Sequence, residues 1–140
     1  MKLTVIVISA ILLIQGWAYA HEGYDHHKGH DAEIQMQQLH KIMPMYAHAQ
    51  AMINEALKKG DAAAVEAETE KILRSVPNLK KSKPHKNLNQ LKTFRKTASA
   101  FESDVKKTAS MAMSGDIAGA KAAFLVAEKS CDECHAKFRD

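Results

Sequence analysis

The 140-residue sequence predicts an all-α fold, an antiparallel four-helix bundle. Three observations carry the bundle. From Ala32 onward apolar residues recur at alternating spacings of three and four, the period of a helix with one buried face. No stretch alternates apolar and polar residues as a half-buried strand does. Two Gly-Asp pairs, Gly60-Asp61 and Gly115-Asp116, each join a residue free to take left-handed angles to a carboxylate that caps the next helix.

The first helix carries the stripe Met36, Leu39, Met43, Tyr46, Gln50, Ile53 and Leu57. Pro44 interrupts it: its ring clashes with the carbonyl of His40, so the helix either kinks there or begins there after a separate short helix. Asp61 opens a second helix through Ala64, Val65, Ile72 and Leu73, which Pro77 is expected to end. The lysine-rich stretch 77–86 is then the longest loop. A third helix from about Asn87 places Leu88, Leu91, Phe94, Ala98, Phe101, Val105, Thr108 and Ala112 on one side. The fourth runs Ile117, Ala120, Phe124, Ala127, Cys131, His135 and Phe138 along a single stripe. Two tight turns and one longer crossing make the bundle antiparallel.

Ahead of the bundle, residues 1–20 read as an export signal. Lys2 starts it, an apolar run from Leu3 to Ile14 follows, and Ala18-Tyr19-Ala20 offers small-x-small cleavage after Ala20. The run falls short of the about 20 apolar residues a membrane span needs, so no stable membrane insertion is expected. Removing Lys2 with the leader takes the net charge from +4 to +3. Residues 21–31 form a polar, flexible tail with His21, His26, His27 and His30, a composition that can attract copper, zinc or nickel. No helical register aligns these imidazoles into a closed site.

The chemistry lies near residue 131. Cys131, Asp132, Glu133, Cys134 and His135 spell C-x-x-C-H, the attachment signature for a covalent c-type haem. On a helix both sulfurs occupy neighbouring turns of one face, with His135 four residues beyond the first. The thiols can bond the edge of a porphyrin while the imidazole reaches its iron. These are the only two cysteines. A thiol-disulfide redox site would open a helix beside a βαβ pattern, and none exists here. The small positive charge carries no basic stripe with interleaved aromatics, so nucleic acid is excluded as a partner.

With these residues the chain resembles the class II c-type cytochromes, the cytochrome c prime group and its six-coordinate relatives. Beyond the motif, Phe138-Arg139 matches the family ending C-x-x-C-H-x-x-aromatic-Arg. The likeness spans about Ala32 to Asp140 in architecture and the last ten residues in sequence. The resemblance implies that Cys131 and Cys134 form thioethers to haem c, that His135 is the proximal iron ligand, and that Arg139 lies on the proximal side. It also implies export to the periplasm, where haem attachment takes place, and a family habit of dimerising through the first two helices, although nothing here singles out a dimer face.

The family takes its distal residue from the first helix. Met43 shares the core stripe, which makes it the first choice. His40 lies one turn away on nearly the same side and would give a bis-histidine iron. Met45 sits about 200° around the helix from Met43, and it and His48 reach the haem only if Pro44 shifts the face. The competing reading of Met36, Met43, Met45 and Met52 is adaptable core filler. His48 and His85 are expected in solvent, Tyr46 and Phe94 in the core.

The function expected is electron transfer by Fe(II)/Fe(III) cycling, with lysines steering transient contact with redox partner proteins that present acidic surfaces. No nucleophile-base or carboxylate pair suggests an enzyme. The alternatives are a five-coordinate gas binder for nitric oxide or carbon monoxide, and a haem-free metal-binding protein using the tail histidines with Cys131 and Cys134.

Overall fold

The computed structural model describes residues 25–139, with side chains from Glu33 onward except Gln35. The leader and the side chains of the histidine-rich tail lie outside the described residues. Residues 32–140 form one compact unit, described below; of residues 1–31, the described 25–31 are helical.

Among the described residues there are four α-helices: α1 Asp25–Lys59, α2 Ala62–Lys81, α3 Leu91–Met113 and α4 Ile117–Phe138, with a 3₁₀ turn at Leu88–Gln90 before α3. No strand occurs among the described residues. The helix α1 begins at Asp25, ahead of Ala32, in a polar stretch whose lack of an apolar stripe left nothing to mark it in the sequence. Both Gly-Asp devices form. Gly60 and Gly115 take positive φ of 70° and 84°, conformations where a Cβ is strained. Asp61 accepts from the Ala64 N–H at 3.0 Å and Asp116 from the Gly119 N–H at 2.8 Å, each satisfying a donor the helix start leaves open.

Side-chain pairs run antiparallel along α3 and α4: Phe94 meets Phe138 edge-on at one end, and Ser130 bonds Asp104 further along. Glu128 of α4 accepts from Gln50 and Asn54 of α1, each at 2.8 Å, while Tyr46 of α1 meets Ser75 of α2 and the Phe101 ring of α3. The core between them holds Ile53, Val65, Ile72, Val105 and Phe124. Each such side chain taken out of water stabilises the fold by about 1.5–3 kcal/mol.

The reading of Pro77 changes, and that of Pro44 narrows to a single continuous helix. The helix α2 passes through Pro77 and ends at Lys81, where Ser82 closes it with its N–H on the Asn78 and Leu79 carbonyls. Likewise α1 neither stops nor restarts at Pro44. A helical proline costs about 3 kcal/mol. Both prolines face solvent, whereas Val76 and Leu79 flank Pro77 and Ile42 and Tyr46 flank Pro44 in the core. Burial of those neighbours offsets the lost backbone bond. The connecting loop is consequently shorter than expected, and Leu88, placed on the buried side of α3 by periodicity, stands 53% exposed in the 3₁₀ turn. Asn87 precedes that turn in left-handed conformation, φ 57°, which re-aims the chain before α3 begins.

Candidate haem-binding site

The C-terminal end of α4 is held by that loop. The Lys86 N–H donates to the Phe138 carbonyl at 3.2 Å and Asn87 Nδ2 to the Lys137 carbonyl at 2.6 Å. These are carbonyls the helix end leaves without partners, so the loop is drawn over the last turn of α4. His135 sits in this braced turn.

Beside it opens a cavity of about 590 Å³. Leu39, His40, Met43, Pro44 and Ala47 form its α1 wall; Cys134, His135, Phe138 and Arg139 form its α4 wall. Pro84 and His85 of the loop and Phe94 of α3 complete it. A smaller cavity of about 40 Å³ lies towards the core, between Cys131, Tyr46 and Phe101. Three residues line both spaces: Met43, Cys134 and His135.

Cys131, Cys134, His135, Met43, His40 and Arg139 are thus gathered around two adjoining spaces. Met45 lines neither and packs against the core, and His48 is exposed on α1. Phe94 is core as expected, 2% exposed, and it also forms part of the cavity wall. His85, expected in solvent, is half-buried on the cavity and meets His40, with Nε2 atoms 3.3 Å apart and ring centroids 5.2 Å apart. No periodicity signals a loop residue that reaches a helix 45 positions away.

Both cysteines are half-buried free thiols. Burial, with the nearby Cys134, Asp132 and Glu128 adding to it, pushes the Cys131 thiol up to about 11. Burial also pushes the Cys134 thiol up. Disulfide oxidoreductases need the opposite, a thiol pKa lowered towards neutrality. The site therefore presents two neutral thiols, an imidazole and a thioether to a largely apolar space within the size range of cofactor pockets. That donor set fits a haem c: thiols for its periphery, imidazole and thioether sulfur for its iron.

A profile of the family Cytochrome C' matches residues 79–139. Those residues are therefore similar to the family, which is consistent with a class II c-type cytochrome. They contain the loop, α3 and all of the C-x-x-C-H helix, and the match supports a c-type haem cytochrome. No curated protein and no solved structure matches the chain. No helix among the described residues is long and apolar enough to cross a membrane. The fold places a tyrosine next to the motif. Tyr46 OH accepts from Ser75 Oγ at 2.9 Å, and burial raises its phenol from 10.0 to about 12.

That shift has a testable sign. Below pH 10 the phenol is protonated whether the chain is folded or not. Between pH 10 and 12 the unfolded chain releases the proton and the folded one retains it, so stability falls as pH rises through this window. Urea titrations across it are expected to show a steeper loss for the wild type than for Tyr46→Phe. Equal slopes would place the phenol in water.

Proposed function

We propose that the chain is a periplasmic, monohaem electron carrier with a six-coordinate iron held between His135 and Met43. One observation carries the reading: Met43 of α1 is the methionine that borders both spaces together with Cys134 and His135. One C-x-x-C-H motif implies one haem.

Haem, when bound, supplies a one-electron Fe(III)/Fe(II) couple, and a methionine ligand raises its potential relative to a second histidine. Cys131 and Cys134 would carry the thioether bonds from α4. His135 would hold the iron from the turn that Lys86 and Asn87 brace, which keeps the imidazole from moving between redox states. Leu39, Phe94 and Phe138 line the cavity with apolar surface and would keep water from a bound iron. Arg139 lines the same space, where its charge favours the reduced state. Exposed Lys86, Lys137 and Arg139 beside the cavity would steer an acidic redox partner to this end of the bundle.

The optical spectrum of the exported, haem-loaded protein tests the proposal. A low-spin oxidised spectrum with a weak sulfur-to-iron band in the near infrared, and no uptake of carbon monoxide by the reduced form, is expected. A high-spin ferric spectrum with rapid carbon monoxide uptake would instead make the chain a gas binder.

A further inference from the structure

We infer that His40 and His85 form a binding site for a divalent transition-metal ion of the zinc and copper class, separate from the haem iron. The pair bridges α1 and the loop at the rim of the large cavity, with Nε2···Nε2 of 3.3 Å, centroids 5.2 Å apart and ring planes 14° from parallel.

The distances define the geometry. Two imidazole nitrogens bound at about 2.0–2.1 Å to one tetrahedral ion stand about 3.3–3.4 Å apart, and their ring centres about 5.2 Å apart. Two imidazoles aimed head-on at one another across the same nitrogen separation would put their centres farther apart, at about 5.6 Å. The observed separations are those of the first arrangement, and nearly parallel rings stacked with an offset reach the same two values without an ion. A shared proton between two neutral rings is the competing explanation of the contact, and it needs no ion.

The scaffold suits an ion as well. His40 rides on α1 between buried Leu39 and Ile42. His85 follows the fully buried Pro84 and precedes Lys86, whose N–H is fixed on the Phe138 carbonyl. Both imidazoles are therefore carried on braced backbone. Among the described residues no group of three or more His, Cys, Asp or Glu gathers to hold a metal, so water completes the coordination. Such an open two-nitrogen site favours Cu²⁺ over Zn²⁺ and excludes Ca²⁺ and Mg²⁺, which take oxygen donors. A bound ion would pin the loop to α1 across the mouth of the haem cavity.

The test uses the full-length, haem-loaded protein with His21, His26, His27 and His30 replaced by alanine, so that the tail contributes no ligand. Calorimetric titration with Zn²⁺ is expected to show one site. His85→Gln and His40→Ala, each added to that background, are expected to weaken it tenfold or more, whereas His48→Ala leaves it unchanged. Helical circular dichroism and an unaltered haem spectrum verify that each variant is folded and loaded. Absence of zinc uptake before these substitutions, or undiminished uptake after either, overturns the site. A change of iron spin state in His40→Ala also overturns it, because His40 would then serve the iron. A high-spin wild-type spectrum would sink the proposed electron carrier and leave the zinc result standing.

Discussion

Replacing Cys131 and Cys134 together by alanine is expected to give a polypeptide of unmodified mass that shows no haem stain on a denaturing gel. The exported wild-type chain is expected to stain and to exceed its peptide mass by one haem. A thioether survives denaturation, whereas a haem held only by His135 is washed out. The variant is also expected to lose stability. A space of about 590 Å³ lies between α1 and α4. At about 24 cal/mol per Å³ of unfilled volume, leaving it empty costs at most about 14 kcal/mol, and less where the walls close in. That is comparable with the whole stability of an ordinary domain. Thermal melting followed by circular dichroism should therefore move down by tens of degrees or lose its cooperativity. A bare wild-type mass after maturation in an export-competent host would remove the cofactor from the account altogether.

Met43→Ala is expected to convert a low-spin ferric haem to high spin and to open the iron to carbon monoxide in the reduced state. His40→Ala is expected to leave the spin state unchanged. The prediction follows from position: Met43 borders both spaces, and His40 borders the outer one and is engaged with His85. Electron paramagnetic resonance of the two oxidised variants separates the outcomes. Conversion by His40→Ala alone would make the iron bis-histidine in the wild type. No change in either variant would exclude both residues as ligands.

These two experiments differ in what the sequence offered beforehand. Cys131, Cys134 and His135 are legible because their spacing is local: three residues within five positions of one helix carry the chemistry wherever the helix lies. The helices were legible for the same reason, since Leu39, Tyr46 and Ile53 or Phe94, Phe101 and Val105 mark a face by period alone, and all six are buried. Pro77 was misread because a local penalty competes with packing that no local pattern reports. Pro77 sits mid-helix since Val76 and Leu79 are both in the core.

Amino-acid order by itself determined an all-α bundle, its two Gly-Asp reversals and the C-x-x-C-H turn that marks a haem c. Tertiary structure alone decided that α1 runs unbroken past Pro44 and that His85 leaves solvent to meet His40. The division has one physical cause. Helix period, caps and motif spacing are set by neighbours within a few positions, whereas the cavity walls come from four segments whose approach depends on how the whole core closes.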